Sequence, residues 1–298
     1  MPSGDPKVLV TGGRGYVGTV LTAYLAARGV NVSSVDLEYF GNFGSTDSRK
    51  IDYRDLSADE LNRYDAIIHL AGHSSVRMAN GNPAAALDNN INGFFALLQK
   101  IDGPKLIYAS SASVYSGLGG EPASEEHVSF TVANVYDFTK HGGDCLAALY
   151  GKEYYALRFG TVNGISPNLR TDLIINSMVR SALLKGTVSV FNPQVHRSIL
   201  VLNDLVRAVE TILKGPKAPG VYNLASFSAT VGAIAEEIGR ILKVPLTYGP
   251  NSTTYDFVLD TRKFQRTFDF AFEQTIESVV SELVAHKDQL LSTDRGRG

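Results

Sequence analysis

The sequence predicts an α/β protein built on a doubly wound parallel sheet, and three observations predict it. Apolar, β-branched runs of strand length alternate with helix-length segments through the first half, which is the pattern of βαβ units. The run at residues 7–10 leads straight into Thr11-Gly12-Gly13-Arg14-Gly15-Tyr16-Val17-Gly18, and a helical pattern opens directly behind it. Gly13, Gly15 and Gly18 fit G-x-G-x-x-G, and Gly12, Gly15 and Gly18 fit the related G-x-x-G-x-x-G, in the strand, turn and helix context that either pattern requires. Asp36 closes the next apolar run, residues 31–35, about 20 residues beyond the glycines, where an acid would take the ribose hydroxyls of a dinucleotide. The glycines permit a tight turn and a close approach to a pyrophosphate, while the helix N-terminus offers unpaired N–H groups. The fold expected over residues 1–160 is therefore Rossmann-like, with residues 161–298 forming mainly a smaller α/β substrate-binding lid from which some segments return to the first unit.

Composition sets the outer limits. A chain of 298 residues, 44% hydrophobic, can bury a large core. A formal net charge of −2 gives no basic footprint, so no nucleic-acid partner is expected, and no apolar run reaches the length of a membrane span. The N-terminus lacks a charged, apolar signal segment, and the expected location is the cytoplasm. One cysteine, Cys145, fits a reducing compartment and is expected as a small buried hydrophobe of an apolar helix.

Taken in order, the first strand is followed by a helix over residues 17–28, with Gly29 as its stop. A second strand ends at Asp36, a polar loop fills residues 38–48, and a short segment at 51–55 leads to a brief helix started by Ser57. Residues 64–72 read as a buried strand ending in the glycine turn of Gly72, at the carboxyl edge where such folds bind ligands, and its His69 reads as a strand residue. A long helix spans 83–101, the next central strand spans 105–109, and that strand opens into Ser110-Ser111-Ala112-Ser113. A second long helix, 135–150, carries Tyr136 and Lys140, and a strand at 154–159 follows. The second half mixes a helix at 172–184, strands at 188–191, 198–202 and 220–224, a helix at 204–213 and a closing helix at 276–291. Prolines punctuate this half.

Tyr136 and Lys140 stand four residues apart and so share one face of a helix. An ammonium beside a phenol lowers a pKa that is ordinarily about 10, which suits proton transfer nearer neutral pH, and leaves the lysine able to hold a cofactor ribose. On spacing alone the pair reads first as an ordinary helical surface pair. Ser111 adds to it, because a hydroxyl at the carboxyl end of a central strand faces the place where a nicotinamide would lie.

Together these residues resemble the extended short-chain dehydrogenase/reductase family, in particular the NAD-dependent nucleotide-sugar epimerases and dehydratases. The resemblance covers nearly the whole chain. It implies an NAD cofactor held by Gly12, Gly15, Tyr16, Val17 and Gly18, with Asp36 as the ribose acid and Asp52 as the acid that reaches the adenine. Leu70, Ala71 and Gly72 are similar to the segment beneath the cofactor, and Asn90, in Asp88-Asn89-Asn90-Ile91-Asn92-Gly93-Phe94, to the asparagine that supports the site. Ser111, Tyr136 and Lys140 match the catalytic triad, with the 25-residue separation between Ser111 and Tyr136 that sugar epimerases show. In the second half the resemblance gives Asn176 and Arg197 to the nucleotide diphosphate, and Ser113 and Thr161 to the substrate. A guanidinium is well suited to phosphates. For Arg197 a solvated strand residue is the competing reading.

Two departures bear on the substrate. Thr161 and Asn163 stand where the family often has asparagine and tyrosine, and the following stretch with Arg170 and Asp172 looks like one sub-branch of the sugar-nucleotide epimerases. Ala112 and Ser113 occupy the positions at which the 4,6-dehydratases carry Asp-Glu, which argues against dehydration. The expectation is an NAD-dependent epimerase that inverts C4 of a nucleoside-diphosphate sugar through a transient 4-keto intermediate, with a keto-sugar reductase as the alternative and a non-catalytic dinucleotide sensor as a third reading. No metal is expected. NAD is expected over NADP because Asp36 would repel a 2′-phosphate, with only Arg49 or Lys50 placed to reach in. The two long helices resemble those that pair across a two-fold axis in the family, implying a homodimer.

Overall fold

The computed structural model describes residues 6–115, 118, 120–127 and 132–292. Seven strands form its central sheet: β1 (Lys7–Thr11), β2 (Asn31–Asp36), β3 (Ser48–Lys50), β4 (Ala66–His69), β5 (Lys105–Ser111), β6 (Tyr154–Phe159) and β7 (Gly220–Leu224). Their spatial order is β7-β6-β5-β4-β1-β2-β3, and every neighbouring pair is parallel. The doubly wound parallel sheet is thus as the alternation of strands and helices predicts. The order in which successive strands are added reverses between β1 and β4, which opens a crevice at the carboxyl ends of those two strands.

Period-two patterning decides what each face covers. Val8 and Val10 point to one side, where they pack with Leu21, Leu25, Leu205, Val209 and Phe264 of the helices Tyr16–Ala26, Leu202–Lys214 and Arg262–Phe268. Leu9 points to the other, against Phe94, Leu97 and Ala147 of the helices Phe94–Lys100 and Val135–Tyr150. A further core gathers the helices Ile174–Lys185, Val231–Leu242 and Ile276–Ala285 around Ile175, Ile234 and Val280. Beside it the strands Thr161–Asn163, His196–Val201 and Phe227–Thr230 make a three-stranded sheet.

Several elements differ from the sequence reading. The expected helix over 83–101 is interrupted: Pro83–Leu87 and Phe94–Lys100 flank a π-helical turn, Asp88–Gly93. A widened turn frees a backbone carbonyl, and the Tyr53 hydroxyl takes one by donating to the Asn89 oxygen at 2.8 Å. The segment at 51–55 is a single 3-10 turn, Tyr53–Asp55, capped by Asp52, while the strand lies earlier, at Ser48–Lys50. The closing helix divides at His286 into Ile276–Ala285 and Lys287–Ser292. Cys145 is exposed, contrary to expectation, because the helix Val135–Tyr150 turns Gly143 and Ala147 inward and leaves Cys145 on its outer stripe. No described helix is long and apolar enough to cross a membrane.

Candidate active site

A cavity of about 430 Å³ occupies the crevice, and the cofactor half of the predicted site lines it. Gly12 adopts φ +74°, and a Cβ there would lie 2.7 Å from the Ala71 amide nitrogen, so only glycine lets the β1 turn approach the β4 turn. A Cβ on Gly18 would collide with the Gly12 carbonyl oxygen, which keeps the helix packed on its own turn. Gly15 caps the helix Tyr16–Ala26 without a side-chain hydrogen bond, leaving the first-turn amides directed into the cavity. Such a cradle, filled by any side chain, fits a pyrophosphate. At its end Asp36 accepts from the Arg14 and Glu38 backbone amides at 2.9 and 2.6 Å, and the fixed carboxylate retains lone pair capacity for hydroxyls. Arg49 and Lys50 are paired with Glu60 and Glu38, and the Arg14 guanidinium donates to the Thr46 carbonyl.

The other cofactor residues divide into lining and supporting groups. Tyr16, Val17, Leu70, Ala71 and Gly72 line the cavity, although the buried Tyr16 hydroxyl is spent on the Gly164 carbonyl at 2.7 Å. Asp52 also lines it, with the Arg54 guanidinium holding its carboxyl below the usual range. Asn90 is not among the lining residues, and its side chain serves as a brace. Its Oδ1 accepts from the His73 amide at 2.8 Å, while its Nδ2 donates to the His73 carbonyl and to Thr139 Oγ1, both at 3.1 Å. It thereby ties the loop after β4 to the helix of Tyr136. His69 is, as read from sequence, a buried strand residue: it contacts Tyr53 and Phe94, bonds Thr11 Oγ1 at 2.8 Å, and burial pushes its pKa down to about 3.

Ser111, Tyr136 and Lys140 converge on the same cavity from β5 and the helix Val135–Tyr150. The cap of that helix, Asn134, accepts from the Asp137 amide at 3.1 Å and fixes where the first turn starts. Burial raises the Tyr136 pKa, and two features oppose this, the hydrogen bond with Ser111 and the positive charge of Arg170. Lys140 Nζ donates to the Ala109 carbonyl at 2.7 Å and stands 5.8 Å from the Tyr136 ring centre. Burial lowers its pKa to about 8. Arg170 thus adds a second cation beside the phenol, one whose place sequence spacing does not disclose.

On the substrate side, Ser113 and Thr161 line the cavity, as do Arg170, Tyr255 and Phe257. Arg170 is itself held by Asp172, at 3.1 and 2.6 Å. Asn176 does not reach the cavity: fully buried, it bonds Gly164 N and O, the Arg170 carbonyl and the Tyr16 hydroxyl. Its amide is consumed in bracing two loops, which displaces the expected contact with diphosphate. Arg197 borders a second cavity of about 250 Å³, with Ser177, Ser181, Phe191 and Asn192. Asp172 and Ile174 of that cavity adjoin Arg170 and Leu173 of the first, so the two follow one another along the chain. The guanidinium of Arg197 donates to the Tyr255 carbonyl and, at 2.7 Å, to Thr254 Oγ1. No group of three or more metal-ligating side chains occurs among the described residues.

A dinucleotide cradle, a buried phenol, a lysine and a hydroxyl in one crevice define an enzyme of hydroxyl and carbonyl chemistry on a parallel α/β sheet. Residues 8–225 match the profile described as "NAD dependent epimerase/dehydratase family", and the chain belongs to that family. It is accordingly an enzyme with NAD as its cofactor. Protein CapI of Staphylococcus aureus is 27% identical over 93% of this chain and 97% of its own length. UDP-glucuronate 4-epimerase 2 of Arabidopsis thaliana is 30% identical over 80% of this chain, and the match spans 64% of that longer protein. The UDP-glucuronic acid 4-epimerase of Bacillus cereus, solved with UDP-glucuronic acid and NAD, shares the fold at a TM-score of 0.81 and 20% identity, covering 95% of this chain and 99% of its own.

Proposed function

We propose that the protein inverts C4 of a nucleoside-diphosphate sugar and restores its cofactor within each cycle. The observation that carries this reading is the convergence of Ser111, Tyr136 and Lys140 on the cradle, with Ala112 and Ser113 rather than an acid pair behind Ser111. Bound NAD supplies a hydride acceptor that can return the hydride. Ser111 positions the C4 hydroxyl, and Tyr136 takes its proton as the alcohol is oxidised, then gives it back as the keto group is reduced. Lys140, which donates one N–H to the Ala109 carbonyl, would have its other N–H groups to hold the cofactor ribose. A 4-keto sugar is the intermediate on this path. It needs room to present its other face, and the small Ser113 on the cavity wall leaves that room.

The second cavity suits the nucleoside, and Arg197 on its wall suits the diphosphate. UDP-glucuronic acid is the first substrate to try, given the activities of the Arabidopsis and Bacillus cereus relatives. In the cleft, Arg170 offers a guanidinium to its carboxylate. The test is incubation of the purified protein with NAD and UDP-glucuronic acid, or other sugar nucleotides, deuterated at C4, followed by NMR. The expected product is the C4 epimer, with deuterium retained at C4 and no net NADH. Stoichiometric consumption of reduced cofactor, or accumulation of a keto sugar, would overturn the proposal in favour of an oxidoreductase.

A further inference from the structure

Directly after the catalytic phenol stands a buried acid that the chemistry above does not use. Asp137 is 2% exposed. Its two carboxylate oxygens accept from the Tyr255 hydroxyl at 2.9 and 3.1 Å, and its Oδ2 also accepts from Asn134 Nδ2 at 2.9 Å. Asn134 Nδ2 lies in addition 2.6 Å from the Tyr255 oxygen, closing a three-membered network. Tyr255 lines the cleft, and its backbone carbonyl and the neighbouring Thr254 hydroxyl are the groups that Arg197 holds. On the same side, the His196 amide donates to Asp256 at 2.9 Å. Continuous contacts thus run from Arg197 through residues 254–256 to Asp137, whose next neighbour in the chain is Tyr136.

Resting on the epimerase reading, we propose that Asp137 is a positioning residue, which with Asn134 and Tyr255 fixes the turn bearing Tyr136 in register with the substrate side of the cleft. The network has the chemistry for that task. A phenol donating to a carboxylate forms a charge-assisted bond, stronger and more directional than a neutral pair. Asn134 is at once the helix cap and the third member, so the first helical turn cannot shift without breaking several bonds. Asp137 also places a negative charge beside Tyr136, which raises the phenol's pKa against the lowering effect of Arg170. The other charged and titratable groups around the phenol are Lys140 and Asp144 on its own helix, His69 on β4, Arg170 with its partner Asp172, and Tyr255.

The experiment compares Asp137→Asn, Asp137→Ala, Tyr255→Phe and the double variant Asp137→Ala/Tyr255→Phe with the wild type. Its readouts are kcat, KM, NAD affinity, Tm and the pH profile of kcat/KM. Loss of the network should lower kcat about tenfold in Asp137→Ala and Tyr255→Phe, with NAD affinity within about twofold and the double variant no worse than Asp137→Ala alone. Asp137→Asn should move the acid limb of the profile to lower pH, since a neutral amide no longer opposes formation of the phenolate. A spectrophotometric titration of the NAD-bound protein, as a difference against Tyr136→Phe, reads the same ionisation with no substrate present. Its midpoint should fall in Asp137→Asn. If the midpoint falls while no sugar nucleotide is turned over, the epimerase reading fails and the electrostatic part of this inference stands. If turnover proceeds but midpoint and acid limb stay at their wild-type values and the two single losses multiply, the network is structural and the inference is overturned.

Discussion

At the scale of single residues, the site carries the cost of its own chemistry. Lys140 is half-buried and desolvation takes its pKa to about 8, against an ordinary value of about 10.5, so its charged form is disfavoured by the fold. The sign follows from proton counting. Between pH 8 and 10.5 the unfolded chain binds more protons than the folded one, so stability rises with pH across that window, and below pH 8 the whole cost is present. That cost is about 3 kcal/mol, offset by about 1 kcal/mol from the bond to the Ala109 carbonyl. Lys140→Met should therefore abolish turnover while raising Tm by about 4 °C at neutral pH, and should remove the rise in stability between pH 8 and 10.5. Calorimetry across that pH range checks it. A variant less stable than wild type, with the slope unchanged, would show that Lys140 pays its way in the fold.

At the scale of elements, what sequence discloses depends on whether neighbours in space are neighbours in the chain. The glycine turn, Asp36 and the Tyr136/Lys140 pair were all legible because each requirement is local: a turn, a strand end, one helical face. The unbroken apolar run Val8-Leu9-Val10 likewise announced a buried strand. The π turn at Asp88–Gly93 was not legible, because the apolar spacing continues through it and its cause, the Tyr53 hydroxyl, lies in a distant segment. Asp137 and Tyr255 meet across more than a hundred residues, and nothing in either local pattern names the other. Asn176 was read as a diphosphate ligand, whereas its side chain is fully buried and its amide is consumed as a brace. From the π turn comes a prediction. Asn90→Ala removes bonds to the His73 backbone and to Thr139, and should cost about 2 kcal/mol, weakening NAD binding about tenfold without changing KM for the sugar nucleotide by more than about twofold. Cofactor titration by intrinsic fluorescence measures it, and wild-type affinity would mean that the loop after β4 holds its place without the brace.

At the scale of the whole molecule, the helix Val135–Tyr150 faces two ways. Its inner side carries Tyr136, Lys140 and Ala147, while its outer stripe presents Phe138, Cys145 and Leu149 to solvent, with Leu149 74% exposed. Tyr150 is half exposed and packs edge-on against Phe95 of the helix beside it, at 4.9 Å between ring centres. A contiguous apolar surface of this kind on two adjacent helices is what a protein covers with a partner. We propose that the partner is a second copy, related by a two-fold axis that sets the helix against itself, since an isologous contact needs only one self-complementary patch. Burial of about 1,200–2,000 Å² in total would make such a dimer stable. Light scattering at micromolar concentration should give twice the chain mass, and Phe138→Glu/Leu149→Glu, which sets like charges against each other across the axis, should give the monomer with NAD still bound. Cys145 supplies an independent measure, because a thiol reagent should label it several-fold faster in that variant than in the wild type at equal concentration. A wild-type monomer, or equal labelling rates with the mass unchanged by the two glutamates, would remove the two-fold pairing and leave the apolar stripe without a partner of this kind.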